Sequence, residues 1–180
     1  DHSGVYDLST GAPTTTDAVK SAKTSAPIKI AIASDWGSGT LEAAAVANNM
    51  KLFDADYTIH LGDIYYAGFK EEIDMSVLGQ APSPNQQGVT FPDGSKGTYF
   101  LNGNHEMASL GRDFFEYLLP KKNQKASYFS LENEHWRFIG LDTGYDSYKT
   151  WGDIRGLRST SAPLHDDIVH WMNDTLKLYE

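Results

Sequence analysis

Three groups of polar side chains in this sequence could do chemistry together, and each follows a short apolar run. The groups are Asp35, then Asp63 with Tyr66, and then Asn104 with His105. The apolar runs before them have the length and the β-branched and aromatic content of strands. Carboxylate, phenolate and amide oxygens are hard donors, and hard donors gathered in one place suit metal ions. The question is therefore whether the fold brings the three groups together.

The runs at residues 28–34, 57–61 and 98–102 are the strands that would position these groups. The first is followed by a predicted helix from Thr40, a good N-cap, to Phe53. Its expected buried face, at helical spacing, carries Ala43, Val46, Ala47 and Met50. Alternating strands and helices predict an α/β protein with right-handed crossovers. Ligands of such sheets bind beyond the strand ends, where all three groups would meet.

Each group has a plainer interpretation when it is taken alone. Asp before a glycine-rich turn is commonly a turn or cap residue, which applies to Asp35 and Asp63. Asn104 and His105 could equally form a turn closed by side-chain hydrogen bonds. The coincidence of three successive strand ends, each with a candidate ligand, favours a site.

The residue types suggest two metal ions acting on a phosphate ester. Asp63, on the middle strand, would bridge the ions, while Asp35 would hold one and the Asn104 side-chain oxygen the other. A Tyr66 phenolate would suit a trivalent ion such as Fe(III). Two such ions can orient the ester, lower the pKa of a bound water and stabilise the leaving oxygen. His105 could donate a proton or a hydrogen bond to the phosphoryl group.

The rest of the chain supplies the remaining elements. We predict an N-terminal arm or linker over residues 1–27, a short helix over 69–78, a long loop over 79–97 and a helix over 110–119 that Pro120 stops. A hairpin is predicted from strands 126–131 and 136–141, followed by an irregular loop and an amphipathic helix over 162–179. The irregular loop is either a pocket wall or a plain surface loop, and its candidate wall residues are Tyr145, Tyr148, Trp151, Arg155 and Arg158.

Composition excludes several classes of function. The 180 residues carry 15 Lys plus Arg against 24 Asp plus Glu, a net charge of -9, which argues against generic nucleic-acid binding. The absence of cysteine excludes disulfides and thiolate metal sites. No apolar run approaches the length of a transmembrane helix.

The three motifs resemble the first three blocks of the calcineurin-like metallophosphoesterases. They read Asp35-Trp36-Gly37, GDxxY from Gly62 to Tyr66, and GNHE from Gly103 to Glu106. The purple acid phosphatase branch is the most similar, because Tyr66 completes GDxxY and Gly37 stands where other branches carry His. Residues 127–142 and the helix around Trp171 also resemble the family.

The resemblance implies a fold and a set of roles. The fold would be part of a four-layer α/β/β/α sandwich with mixed sheets. Asp35 and Tyr66 would hold a ferric ion, Asp63 would bridge, Asn104 would hold a divalent ion (Fe, Zn or Mn) and His105 would lie near the substrate. The substrate would be a phosphate monoester, with diesters as an open alternative, and the family resemblance favours a secreted or periplasmic location.

One departure from the family shapes a second hypothesis. The family's later His and its Gly-His-x-His block are not in this sequence, and His165 and His170 would face different sides of their helix. We therefore expect residues 28–180 to be the N-terminal part of a catalytic domain, completed by a second polypeptide. The alternative function is a half-domain that binds a partner and has no catalysis of its own.

Overall fold

Two three-stranded sheets form the centre of the part of the chain that the structure describes. The computed structural model describes residues 4–15, 27–37, 39–81, 83–84, 87–147 and 163–178. The strands are β1 (Val5–Asp7), β2 (Ile30–Ala33), β3 (Tyr57–His60), β4 (Gly97–Phe100), β5 (Phe129–Glu132) and β6 (Arg137–Gly140).

The first sheet has the order β2-β3-β4, and its strands are parallel. Ala33 pairs with His60 and His60 pairs with Phe100, so the three strands end level with one another. The middle position of β3 confirms the prediction made for the strand before Asp63. The segments after these strands consequently leave the sheet at the same edge.

The second sheet has the order β1-β5-β6, with β1 parallel to β5 and β5 antiparallel to β6. The β5-β6 hairpin confirms the predicted one. Strand β1 corrects the prediction of a loose arm over residues 1–27, because Val5 pairs with Ser130 and is fully buried. The side chain of Tyr57 adds a second tie, since its hydroxyl donates to the Leu8 carbonyl at 2.9 Å. Residues 16–26 lie outside the described part.

Five helical segments of the described residues flank the sheets. They are α1 (Leu41–Phe53), α2 (Lys70–Ser76), α3 (Asn104–Ala108), α4 (a π-helical turn Phe114–Leu118 continued by an α-helical turn Leu119–Lys121) and α5 (Asp166–His170, continued by a π-helical turn Trp171–Thr175). Thr40 caps α1 as predicted, with its hydroxyl accepting from the Ala43 N–H at 3.3 Å. The buried face of α1 carries Ala47 and Met50, whereas Val46 is exposed, contrary to the prediction.

Helix α4 differs from its prediction at the C-terminal end. Pro120 lies inside the final turn instead of stopping the helix before it. The first turn of an α-helix tolerates proline, because its N–H positions have no partner within the helix. The change from π-helical to α-helical geometry at Leu119 creates such a first turn.

Among the described residues, three apolar clusters lie between four layers of helices and sheets. Tyr57 and Ile59 of the first sheet meet Phe129 and Leu131 of the second in a cluster between the sheets. A larger cluster, with Phe100 and Phe114 among its members, covers the outer face of the first sheet. Ile168 and Trp171 of α5 cover the second sheet around Val5. The predicted α/β fold class is confirmed, and no helix of the described residues is long and apolar enough to cross a membrane.

Candidate metal centre

A pocket of about 300 Å³ lies where β2, β3 and β4 end. Asp35, Asp63 and Asn104, each from a different strand end, line it together. The parallel register described above explains this convergence. Because the three strands end level with one another, the residues that follow them lie at the same edge of the sheet. The structure thus brings together three of the four predicted ligands.

Asp35 is held by its neighbours on both sides. Its Oδ2 accepts from the Ser34 hydroxyl at 2.6 Å, and its Oδ1 accepts from the Tyr65 hydroxyl. The Ser34 hydrogen bond, with that of Tyr65 second, lowers the pKa of Asp35. Backbone bonds from Asp35 N to the Gly62 carbonyl (3.1 Å) and from Trp36 N to the Asp63 carbonyl (2.9 Å) join its loop to the neighbouring one. Asp35 is therefore presented as an anion in a fixed place.

Asp63 sits on a backbone turn with φ of 65°. Asp tolerates this left-handed region better than most residues, because its short polar side chain can hydrogen-bond locally. Its Oδ1 accepts from the His105 backbone N–H at 3.1 Å. This bond ties the carboxylate to the start of α3, which begins at Asn104.

The two tyrosines of the motif are placed differently. Tyr65 donates to Asp35, and this hydrogen bond raises the pKa of Tyr65 to about 12. The side chain of Tyr66 is 72% exposed and does not line the pocket. The structure therefore does not bring the fourth predicted ligand to the other three, and sequence reasoning missed the contact made by Tyr65.

His105 lies beside the pocket on the first turn of α3. Its Nδ1 is 2.7 Å from the Tyr66 carbonyl oxygen, and its ring meets Tyr65 edge to face at 4.6 Å. A carbonyl can only accept, so Nδ1 carries the hydrogen and donates it. Nε2 is then the atom left to take up or deliver a proton.

Glu106 is a buried carboxylate next to the pocket that sequence reasoning quoted in a motif without giving it a role. It accepts from the N–H groups of Asp63 (3.1 Å), Gly103 (2.7 Å) and Ile64. Burial raises the pKa of Glu106, while these donors act in the opposite direction. Its position three residues after the helix N-cap, Gly103, is the signal that could have revealed it.

The segment after β6, residues 141–147, closes another side of the pocket with Thr143, Gly144 and Ser147. Buried Asp142 shapes this segment, because its Oδ1 accepts from Gly144 N at 3.0 Å and from Asn102 Nδ2 at 3.2 Å. Burial raises the pKa of Asp142. Since Asn102 precedes the GNHE motif, this contact joins the second sheet to the candidate site.

The predicted pocket-wall residues are only partly described. Tyr145 packs against Phe115 and His165, with ring centroids 5.8 and 4.9 Å away, and does not line the pocket. Tyr148, Trp151, Arg155 and Arg158 lie outside the described residues.

The side chains of the predicted ligands at the pocket are of the chemical types that bind hard metal ions. Asp35, Asp63 and Asn104 line one pocket, and carboxylate and amide oxygens suit Mn²⁺, Fe³⁺ and similar ions. Within the described residues, no group of three or more His, Cys, Asp or Glu side chains is placed to hold a metal ion. Asp35, Asp63 and Asn104 would therefore supply only part of the coordination shell of an ion bound here.

One comparison with known proteins finds a match. The model of the calcineurin-like phosphoesterase family matches residues 28–179. No curated protein matches the chain, and no solved structure matches it.

Proposed function

Because the chain belongs to the calcineurin-like phosphoesterase family, we propose that it hydrolyses phosphate monoesters at a dinuclear metal site of purple acid phosphatase type. Family membership supports a metal-dependent phosphoesterase in general, and members generally bind two metal ions. The choice of substrate, the pair of ions and the branch are our proposal. One observation carries it: Asp35, Asp63 and Asn104 meet in a single pocket at three parallel strand ends.

The proposed roles are those that the family resemblance implies, and they are supported by the meeting of the three residues in one pocket. Asp35 and Asn104 would each hold one ion, Fe(III) and a divalent ion respectively, and Asp63 would bridge them. When bound, the ions would lower the pKa of a water nucleophile and neutralise charge on the phosphoryl oxygens. The chain itself keeps Asp35 ionised through Ser34 and Tyr65 and orients Asp63 through the His105 N–H.

His105 is the proposed proton donor to the phosphoryl group or the leaving oxygen. Its Nδ1 is engaged by the Tyr66 carbonyl, which fixes the ring and leaves Nε2 for the substrate. A positioned acid or base of this kind contributes on the order of 10² to 10⁴ in rate. The segment 141–147 would form another wall of the substrate site, because Thr143 and Ser147 line the same pocket.

The test is the substitution Asp63→Asn in the purified protein, with p-nitrophenyl phosphate and bis(p-nitrophenyl) phosphate as substrates. Asn keeps the size and tolerates the same backbone conformation, so the change removes mainly the charge. We expect loss of at least one bound metal and a fall in turnover of more than about a hundredfold. Elemental analysis and initial rates measure both.

The matched control is Asp54→Asn. Asp54 has a similar φ of 52°, but it is an exposed residue at the end of α1. This variant should keep the metal content and the rate. Full metal content and a normal rate in Asp63→Asn would refute the bridging role.

A second candidate function is binding to a further polypeptide that completes the domain. It draws support from two exposed apolar side chains: Ile32 on edge strand β2 is 56% exposed, and Leu61, which lines the pocket, is 48% exposed. Within the described strands, β2 pairs only with β3. Native mass spectrometry decides, because this hypothesis requires a complex heavier than the 19.9 kDa chain.

A further inference from the structure

Glu106 is wholly buried (0% exposed), and within the described residues its carboxylate accepts from backbone N–H groups rather than from another side chain. Its carboxylate accepts from Asp63 N and Ile64 N in the loop after β3, residues 61–69, and from Gly103 N in the segment after β4, residues 101–103. One side chain therefore holds the loop that carries Asp63 against the segment that leads to Asn104.

The turn that Glu106 holds has an unusual backbone. Gly62 and Asp63 have φ values of 105° and 65°. His60, which is also buried, accepts from the Gly62 N–H through Nδ1 at 3.0 Å. The N–H groups of Gly62, Asp63 and Ile64 are thus all taken by two buried side chains. A backbone in a sparsely populated region persists only where its surroundings enforce it.

The orientation of the Asp63 carboxylate depends on the same clamp. Its Oδ1 accepts from the N–H of His105, the residue before Glu106. If Glu106 lost its hold on Asp63 N and Gly103 N, the start of α3 and the Asp63 turn could move apart. Both residues of the Asp63–His105 hydrogen bond are therefore connected to Glu106: Asp63 through its backbone N–H, and His105 as the preceding residue in the chain.

A second glutamate, Glu72, holds a different part of the same loop. Glu72 accepts from the N–H groups of Tyr66 (2.6 Å), Ala67 (2.9 Å) and Phe69 (2.9 Å). These hydrogen bonds hold the part of the loop from Tyr66 to Phe69. The Asp63 half is held by Glu106 and His60.

We propose that Glu106 is a positioning residue of the candidate metal centre: its buried carboxylate, bound to three backbone N–H groups, sets the place of Asp63 relative to Asn104. This inference rests on the proposed function, because Asp63 and Asn104 are the metal ligands of that proposal. It assigns to Glu106 no contact with metal or substrate. Side chains that orient metal ligands typically change metal affinity by about 10- to 100-fold when they are replaced.

The experiment compares Glu106→Gln with Glu132→Gln. Glu132 is also buried, on β5 in the second sheet, and its partners are Ser130 and Arg137. Both substitutions keep the shape of the side chain and remove a buried charge, but only Glu106 is hydrogen-bonded to residues that line the pocket. Two quantities are measured: amide hydrogen exchange of the metal-free protein, and the Kd for Mn²⁺ and Zn²⁺ by calorimetric titration.

In Glu106→Gln we expect exchange at Asp63, Ile64 and Gly103 to rise by at least about tenfold and the Kd to weaken by about 10- to 100-fold. Glu132→Gln should leave both unchanged at the pocket. If Glu106→Gln proves too unstable to purify, Glu106→Asp takes its place, because it keeps the charge on a shorter side chain. It should raise the exchange rates and weaken the Kd in the same direction but to a smaller extent.

Two results would overturn the inference. One is unchanged exchange at the three amides, and the other is an equal effect of both substitutions, which would indicate a general loss of stability. A wild-type protein that binds neither ion would refute the proposed function instead. Exchange in the metal-free protein would still decide the role of Glu106.

Discussion

Two adjacent tyrosines follow Asp63, and their phenol groups have different surroundings. Tyr65 donates to Asp35, with its pKa raised to about 12, so it acts as a neutral donor. The exposed hydroxyl of Tyr66 has no hydrogen-bond partner among the described residues. Rotation of the Tyr66 side chain toward the pocket therefore breaks no hydrogen bond, which keeps it available as the phenolate of the proposed ferric site.

We accordingly predict that the oxidised, iron-loaded protein absorbs visible light through a phenolate-to-iron charge-transfer band. Tyr66→Phe should abolish the band, whereas Tyr65→Phe should keep it and weaken iron binding through Asp35. Absorption spectra at equal iron content measure the difference. A band that survives Tyr66→Phe and disappears in Tyr65→Phe would assign the phenolate to Tyr65 and contradict the prediction.

His60 makes stability depend on pH. Burial lowers the pKa of His60 to about 3 from an ordinary value of 6.5. Between these values the unfolded chain binds a proton that the folded chain does not, so acid favours unfolding. We expect the free energy of unfolding to fall by up to about 1.4 kcal/mol for each pH unit below 6.5 on account of this group.

Urea unfolding of wild type and of His60→Gln at several values between about pH 7 and pH 5 measures this effect. The variant should be less stable at neutral pH, because Gly62 N loses its acceptor, but its stability should fall less steeply with acid. Parallel pH profiles of the two proteins would show that His60 is not the group responsible.

At the scale of elements, β1 and the turn after it belong to the folded core. Leu8 is 1% exposed and packs in the cluster between the two sheets, and the Leu8 carbonyl accepts from Tyr57. We predict that Leu8→Ala lowers the free energy of unfolding by about 2–5 kcal/mol, the usual effect of a cavity in a core.

Leu52→Ala provides the matched control for this element. Leu52 lies on α1 with its side chain 83% exposed, so its truncation should change stability by less than about 0.5 kcal/mol. Equal effects of the two substitutions, measured by chemical denaturation, would mean that the N-terminal segment is not part of the core.

Elements with a local signal were predictable from the sequence, and those that depend on distant contacts were not. Strands β2, β3 and β4, the Thr40 cap and the β5-β6 hairpin each have their pattern within a few residues. Strand β1 has three residues and pairs with Ser130 through a tertiary contact that no local periodicity encodes.

The candidate site divides in the same way. Asp35, Asp63 and Asn104 were predictable, because each lies within a few residues of the end of a strand that is visible in the sequence. The contact of Tyr65 with Asp35 requires two loops to be packed together. The wall at Thr143 and Gly144 comes from the other sheet, and its approach depends on how the layers stack.

At the scale of the whole molecule, the pocket exists only in the folded state, because its donors come from three separated segments. A ligand that binds only the folded state stabilises it, by about 2.7 kcal/mol at a hundred times its Kd. We therefore predict that Mn²⁺ or Zn²⁺ at such an excess raises the Tm by roughly 5–10 °C.

The measurement is a thermal scan with and without the ion, followed by addition of a chelator, which should reverse the shift. The double variant Asp35→Ala/Asp63→Asn should show little or no shift at the same ion concentration. A shift of equal size in the double variant would place the ions elsewhere on the protein.

The three backbones that meet beside the pocket leave no room for a methyl group. A Cβ atom on Gly62 would lie 2.7 Å from Gly103 N, and one on Gly144 would lie 2.6 Å from the Asn102 carbonyl oxygen. A Cβ on Gly103 would collide with the Asp63 carboxylate. In a saturation-mutagenesis screen for activity, these glycines would therefore tolerate as few replacements as the ligands do. Such a screen would score as catalytic three positions that have no side chain.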